Sequence, residues 1–342
     1  MKIANYDIDL EEAVKLINEK NYKKVVLQIP EGLKIYFDKF VEFLEVKTQA
    51  TVLISADPCF GACDLIDFKS NNLDFDFVIQ IGHESINCSK KTGVRTFFVN
   101  AKSDLDISKI VYKVLPLIKD KKIGLVSTTQ HAHKLEEIKK ILEDKNLKVF
   151  IGKGDNRIKL NGQILGCNFS SASFIKKDVD LFLFIGSGNF HPLGLMLSTK
   201  KKVIACDPYT NEIKDKELED LKDMILKQRY GAIARSKNAN SFGIIVGTKY
   251  GQQRIELAYK IKEKLNSKGK KSYIFTIDNI SFSLIQGFSK IDCFVSTACP
   301  RIAIDDYLQF KTPIITPVEL EILLGYKKWD DYCFDEISGS SL

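Results

Sequence analysis

The sequence has no long hydrophobic run: nothing in its 342 residues approaches the roughly 18 consecutive apolar residues of a membrane-spanning helix. The first residues, MKIANYDIDLEEAV, lack the apolar segment of a secretory signal. Low-complexity segments are also missing, and only 8 residues are proline. These absences argue against membrane, secreted and disordered proteins, so we expect a globular protein of the cytoplasm that does not associate with membranes.

Arginine is scarce, with 6 residues against 45 lysines, and the formal net charge is +7. The lysines alternate with glutamates in stretches such as KLEEIKKILEDK, a pattern typical of solvated helix faces. No patch of arginine and aromatic residues predicts a nucleic-acid platform, so we expect no direct binding of nucleic acids. A basic nucleic-acid-binding protein stays an alternative that rests on the net charge alone and requires strongly salt-dependent binding.

Strand-like and helix-like segments alternate along the chain, which is typical of α/β proteins with parallel sheets. The same succession of four strand-like segments occurs three times: KKVVLQIPEGL, ATVLISADP, DFDFVIQIGHE and VRTFFVNAK; KKIGLVSTTQHA, KVFIGK, DVDLFLFIGSGNFHP and KKVIACDPYT; SFGIIVGTKYGQQ, KSYIFTIDN, KIDCFVSTACPR and KTPIITPVE. We therefore predict an α/β protein of three similar domains, residues 1–116, 117–236 and 237–342. Each would be a small parallel four-stranded sheet with flanking helices, packed around a pseudo-threefold axis.

The chain has 8 cysteines but no C-x-x-C pair, so a zinc ribbon or zinc finger is not expected. The C-x-x-x-C-x-x-C run of ordinary radical S-adenosylmethionine enzymes is missing as well. Four cysteines are interpreted as packing residues: Cys88, Cys206, Cys293 and Cys333.

Each predicted domain carries one cysteine in a loop at the carboxyl end of its sheet, where ligands bind in folds of this kind. These are Cys59 in SADPCFGACDL, where it precedes Cys63 in a lone C-x-x-x-C pair, Cys167 in NGQILGCNFSSAS, and Cys299 in STACPRIAIDD. Spacing alone leaves two interpretations open. The cysteines are unrelated buried thiols, or their thiolates meet around a 4Fe–4S cluster that keeps one iron open for a substrate.

The motifs QIPEGL, SADPCFGACDL, IGHESI, FHPLGL, GTKYGQQR and STACPRIAIDD occur in this order across all three units. Together they resemble the archaeal diphthamide synthase family, the 2-(3-amino-3-carboxypropyl)histidine synthases. The resemblance implies that Cys59, Cys167 and Cys299 bind a 4Fe–4S cluster, at whose open iron S-adenosylmethionine binds. It also implies a homodimer, and an electron donor that the sequence does not identify.

The same resemblance implies a reaction. An electron from the reduced cluster breaks the bond between sulfur and the methionyl γ-carbon of S-adenosylmethionine. The resulting 3-amino-3-carboxypropyl radical adds to C2 of a histidine imidazole on translation elongation factor 2, and methylthioadenosine is released. This is the first step of diphthamide biosynthesis, and the protein would be a transferase.

Several residues are candidates to hold S-adenosylmethionine. Arg301 offers its carboxylate a planar fork that lysine cannot provide, and Asp305 lies beside it in the sequence. A structural salt bridge between Arg301 and Asp305 is the alternative. Gln252 could donate a hydrogen bond to S-adenosylmethionine or to the surrounding loop. His83 and His191 each follow a third strand, and a structural role is favoured for both.

Two other activities stay open as alternatives. Quinolinate synthase also has three similar domains and three cysteines on one cluster, but its cluster is a Lewis acid and uses no S-adenosylmethionine. A non-catalytic cluster scaffold is the other. The three cysteines and the intact STACPRIAIDD motif favour a catalytic protein over that scaffold.

Overall fold

The structure is a computed structural model, and it describes residues 1–66, 74–86 and 95–339. Cys88, predicted to be a packing residue, lies outside the described residues. Within these ranges, no helix is both long and apolar enough to span a bilayer.

Sixteen β-strands occur in the described residues: β1 (Lys2–Ile3), β2 (Tyr6–Ile8), β3 (Lys24–Gln28), β4 (Thr51–Ile54), β5 (Phe77–Ile81), β6 (Arg95–Val99), β7 (Ala101–Ser103), β8 (Lys122–Ser127), β9 (Lys148–Phe150), β10 (Leu181–Ile185), β11 (Lys202–Asp207), β12 (Glu212–Lys214), β13 (Ser241–Gly247), β14 (Lys271–Ile277), β15 (Cys293–Ser296) and β16 (Ile314–Ile315).

Twelve α-helices accompany them in the same ranges: α1 (Glu11–Lys20), α2 (Phe37–Lys47), α3 (Ser108–Ile118), α4 (Thr129–Ala132), α5 (Leu135–Glu143), α6 (Ser170–Ser173), α7 (Phe190–Thr199), α8 (Lys216–Arg235), α9 (Ile255–Ser267), α10 (Phe282–Ile285), α11 (Arg301–Asp305) and α12 (Pro317–Leu323).

Three parallel sheets share one strand order. They are β4-β3-β5-β6, β9-β8-β10-β11 and β14-β13-β15-β16, and the short strand β12 adds an antiparallel edge to the second sheet. Each of the twelve predicted strand segments forms a strand of these sheets, so the predicted α/β class with repeated four-stranded sheets is confirmed. A small antiparallel sheet, β1-β2-β7, was not predicted, because strands of two or three residues are too short to show a periodicity.

The central strands have both faces covered. Every residue of β5 and of β10 is buried, as expected for the central strands of parallel sheets with helices on both sides; β10 is apolar throughout, and β5 is apolar except for Gln80. The helices contribute one apolar face each; in α5, for example, Leu135, Ile138 and Leu142 are buried. Because the strands of each sheet run in one direction, the loops after their carboxyl ends gather on one side of that sheet.

The packing of helices bears on where the units divide. The predicted boundary at residue 116 falls within α3, whose buried residues pack in one core cluster with β8 and β10 of the second sheet. The boundary at residue 236 directly follows α8. Phe334, near the C-terminus, packs into another cluster of the second unit. The division into three domains at these positions stays a prediction.

One buried ion pair joins α8 to the third unit. Arg229 donates from Nε and Nη2 to the two carboxylate oxygens of Glu319, at 2.7 and 2.6 Å, and both side chains are fully buried. Glu319 also completes the capping box of α12 with Thr316. A fork-to-fork pair of this kind satisfies both groups in the interior and fixes α12 against α8.

Replacing Arg229 tests this pair. Arg229→Met leaves a buried carboxylate without its cation, so the free energy of unfolding should fall by about 3–5 kcal/mol. Denaturant titration measures this change. Lys264→Met, which removes an exposed partner of Glu321, is the control and should lose less than about 1 kcal/mol. Equal losses in the two variants would contradict a structural role for the buried pair.

Candidate active site

A cavity of about 250 Å³ lies where loops of the three sheets meet. Its lining includes Cys63 from the loop after β4, Cys167 from the loop between β9 and α6, and Cys299 from the loop after β15. The packing of the three units therefore brings one thiol of each to a common space. In the described part of the chain, no three His, Cys, Asp or Glu side chains form a group that could hold a metal ion. Thiols spread around a cavity suit a polynuclear cluster, which is larger than a single ion.

The structure places Cys63, and not Cys59, beside the other two cysteines. Cys59 is absent from the residues that line the cavity, and its sulfur lies 3.9 Å from Nδ1 of His83. Cys63 lies within a turn in which the Asp64 N–H donates to the Gly61 carbonyl at 3.0 Å, whereas Cys59 precedes this turn. The structure therefore brings Cys63, and not the predicted Cys59, to the cavity together with Cys167 and Cys299, so Cys63 becomes the candidate ligand from this loop.

Contacts with the third unit hold Cys63. The N–H of Gly251 donates to the Cys63 carbonyl at 3.0 Å, and Gln252 donates to the Cys63 thiol at 3.4 Å. Next to it, Asp64 accepts a 2.7 Å hydrogen bond from Lys249, and both of these side chains are buried. The approach is so close that a Cβ at position 251 would lie 2.5 Å from the Cβ of Cys63. Glycine is thus required there by the contact between the two backbones.

A tight turn presents Cys167. Leu165 and Asn168 exchange backbone hydrogen bonds of 2.9 and 3.2 Å around it. The Asn168 side chain donates to Asp155 at 2.9 Å and to the carbonyl of Ile337 at 3.1 Å, while the Ile337 N–H donates to the Cys167 carbonyl at 2.8 Å. The C-terminal segment therefore fixes the position of this turn.

Arg254 positions the loop that carries Cys299. Its guanidinium donates to the carbonyls of Thr297 and Ala298 at 2.6 and 3.2 Å, and it pairs with Asp335 at 2.6 Å. All of these groups are buried, whereas Cys299 is half-buried and lines the cavity. The arginine satisfies loop carbonyls that have no partner in a strand.

Comparisons with known proteins show the family of the chain. The profile of the family described as "Putative diphthamide synthesis protein" matches residues 29–333. The chain belongs to this family. The resemblance seen in the six sequence motifs is thereby confirmed.

Two curated relatives of the diphthamide synthesis family are named 2-(3-amino-3-carboxypropyl)histidine synthase. That of Pyrococcus horikoshii is 35% identical over 98% of this chain and 94% of its own length, and that of Methanocaldococcus jannaschii is 30% identical over 97% and 93%. A crystal structure of Dph2 from Pyrococcus horikoshii with a 4Fe–4S cluster superposes with a TM-score of 0.87 at 35% identity, covering 97% of this chain and 94% of the other. These names confirm the prediction of an enzyme of this family, a transferase.

Without a bound cation, the three thiols of the cavity are weaker acids than an ordinary cysteine. Burial, together with the charge of Cys167, raises the pKa of Cys63 to about 11. Burial likewise raises the pKa of Cys299, with further contributions from Cys167 and Cys63. Arg157 opposes the rise in the pKa of Cys63 and of Cys167. The three groups therefore need positive charge close by to become the thiolates that bind iron.

The predicted partners of S-adenosylmethionine lie in different positions. Gln252 and Arg301 line the cavity, whereas Asp305 does not. The Arg301 guanidinium lies over the ring of Phe190 and donates from Nε to Asp305, so the salt bridge considered as an alternative is formed. Burial lowers the pKa of Arg301 to about 10, and Asp305 opposes this shift. Arg301 remains a cation at neutral pH and faces the cavity.

Two histidines also line the cavity. Burial lowers the pKa of His83 to about 4 and that of His191 to about 3, so both rings are uncharged at neutral pH. The His191 ring stacks on Phe184 and meets Phe190 edge-to-face, which is a structural arrangement. Cys206 and Cys293 are buried core residues, as predicted.

Sequence reasoning missed four residues around the cavity: Cys63, Arg157, Lys249 and Arg254. Arg157 and Arg254 did have a signal in the sequence. Arginine is scarce in this lysine-rich chain, and that argument applies to these two residues as it does to Arg301. No comparable signal distinguishes Lys249 from the other lysines.

Iron binding distinguishes Cys63 from Cys59. After anaerobic reconstitution, Cys63→Ala should lose the visible absorbance of the cluster and most of its iron, because a ligand is removed. Cys59→Ala is the matched control from the same loop and should keep both. Loss of the cluster in Cys59→Ala, with retention in Cys63→Ala, would restore the original assignment.

Gly251→Ala tests the backbone contact. The added methyl group would overlap Cys63, so we expect a loss of stability of about 1–3 kcal/mol together with reduced iron content. Gly231→Ala, in α8, has nothing within 4 Å of the new methyl group, so it should raise stability by about 0.5–1 kcal/mol and leave the iron content unchanged. Full iron content in Gly251→Ala would show that the close approach does not determine the position of Cys63.

Proposed function

We propose that this protein transfers the 3-amino-3-carboxypropyl group of S-adenosylmethionine to C2 of a histidine of translation elongation factor 2, the first step of diphthamide biosynthesis, with release of methylthioadenosine. The observation that carries the proposal is the convergence of three thiols, one from each predicted unit, on one cavity. Membership of the diphthamide synthesis family supports it, as does the similarity to a protein that contains a 4Fe–4S cluster.

The residues of the cavity fit such a cluster. Cys63, Cys167 and Cys299 would supply three thiolates, the usual ligands of iron–sulfur clusters, and three ligands leave one of four irons open. When bound, the cluster would supply the electron that breaks the bond between the sulfur and the γ-carbon of S-adenosylmethionine. The protein's task is to hold the three sulfur atoms and to place the correct carbon of the co-substrate against the open iron.

Arg301 would bind the carboxylate of S-adenosylmethionine. Its guanidinium lines the cavity close to Cys299, in a place where a bidentate hydrogen bond can orient the methionyl end. Asp305 holds the Arg301 side chain from outside the cavity, so it would be a positioning residue and not a contact of the co-substrate. Gln252 would act in the same way through its hydrogen bond to Cys63.

The neutral rings of His83 and His191 suit the wall of this site. An uncharged imidazole can donate or accept a hydrogen bond without placing a second positive charge beside the sulfonium. Both residues are half-buried and form part of the cavity wall.

The assembly and location of the protein follow from the family resemblance. We propose a homodimer that works in the cytoplasm and takes its electron from an external donor. Elongation factor 2 would be the protein substrate.

The decisive experiment identifies the nucleoside released. The reconstituted protein is incubated without oxygen with S-adenosylmethionine and dithionite, and the products are separated by chromatography and mass spectrometry. We expect methylthioadenosine, and with added elongation factor 2 a mass gain on one histidine. Cys299→Ala should form neither product, and Cys206→Ala, a core thiol away from the cavity, is the control that should form both.

Other products would point elsewhere. Release of 5′-deoxyadenosine would mean that the bond to the 5′-carbon breaks, and it would refute the proposed transfer. An intact cluster without any cleavage of S-adenosylmethionine would favour a Lewis-acid enzyme or a scaffold protein.

A further inference from the structure

Three arginines are buried in the described structure, and one of them differs from the others. Arg229 pairs with Glu319, and Arg254 pairs with Asp335. Arg157 is only 1% exposed, yet among the described residues no carboxylate pairs with it. Its Nη2 donates to the Gly251 carbonyl at 3.2 Å, whereas Nε and Nη1 have no hydrogen-bond partner there.

A buried guanidinium whose hydrogen-bond partners are one carbonyl at 3.2 Å and the uncharged thiol of Cys167 is unfavourable, because burial removes the water that would solvate its charge. Such a cation persists where an anion comes to lie beside it. Arg157 lines the cysteine cavity, and its charge acts on the thiols of Cys63 and Cys167. These two sulfur atoms become anions when they bind iron.

We propose that Arg157 is the charge partner of the Cys63 and Cys167 thiolates and thereby raises the reduction potential of the cluster that they hold together with Cys299. This inference rests on the proposed function. Adding one electron makes the cluster and its thiolates more negative, and a fixed cation stabilises this state more than the oxidised one. Arg157 is therefore a positioning and charge-compensating residue that acts through the sulfur ligands.

The carboxylate of S-adenosylmethionine is another anion that could reach Arg157, but the geometry favours the thiolates. The side chain of Arg301 is 20% exposed and accessible to an entering ligand, whereas Arg157 is almost completely enclosed. Arg157 also bonds to the carbonyl of Gly251, whose N–H holds the backbone of Cys63. Arg157 therefore belongs to the hydrogen-bonded contacts that position Cys63.

A redox titration of the reconstituted protein, followed by electron paramagnetic resonance, tests the proposal. In Arg157→Gln the ratio of reduced to oxidised cluster at a fixed potential should fall at least tenfold, which corresponds to 59 mV for a one-electron couple. Arg157→Lys retains the charge and should recover most of this difference. Lys159→Gln removes an exposed charge from the same segment and should leave the potential unchanged, because solvent screens it.

Two outcomes would overturn the proposal. One is an unchanged potential in Arg157→Gln with a full cluster. The other is an unchanged potential together with a tenfold or larger rise in the dissociation constant of S-adenosylmethionine, which would assign Arg157 to the co-substrate. A wild-type protein that binds no cluster would refute the proposed function itself, and this is seen before any variant is compared.

The apoprotein gives a second measurement that does not require a loaded cluster. Without iron the thiols are protonated and Arg157 has no anion, so Arg157→Met should raise the melting temperature of the apoprotein. Arg229→Met, which breaks a satisfied pair, should lower it. A fall of similar size in both variants would show that Arg157 has a structural partner in the apoprotein and would contradict the proposal.

Discussion

The close approach of Gly251 to Cys63 is the contact on which the site depends. Gly251 and Lys249 belong to the third unit. They position the Cys63 thiol through the hydrogen bond between the two backbones and through the buried pair of Lys249 with Asp64. Arg157 of the second unit reaches the same glycine. No single sheet therefore determines where Cys63 lies. The cavity exists only when all three units are packed, and this couples the stability of their interfaces directly to the chemistry.

The repeated sheets could be predicted from the sequence because their signals are strong and local. Short apolar runs such as those of β5 and β10 favour buried strands. The same succession of segments occurs three times, and this repetition predicted the strand content of each sheet. Cys167 and Cys299 could be placed in loops for the same reason: each follows a recognisable strand. The short strands β1 and β2 had no such signal.

The choice between Cys59 and Cys63 could not be made in this way. Both follow β4 in one loop, in the stretch DPCFGACD. The turn between Gly61 and Asp64 and the contacts with Gly251 decide which sulfur faces the cavity, and these contacts join residues far apart in the sequence. Sequence spacing shows where a loop begins and ends. The conformation within this loop depends on its contact with Gly251, a residue of the third unit.

The C-terminal segment has a consequence for how the protein is made. Ile337 holds the turn of Cys167, and Asp335 holds the arginine that positions the Cys299 loop. The Asn168 side chain donates to the carbonyl of Ile337, which is synthesised 169 residues later. During translation the first two thiol loops therefore emerge without the contacts that fix them. The contacts that position the Cys167 turn and the Cys299 loop are therefore complete only after the C-terminal segment has been synthesised.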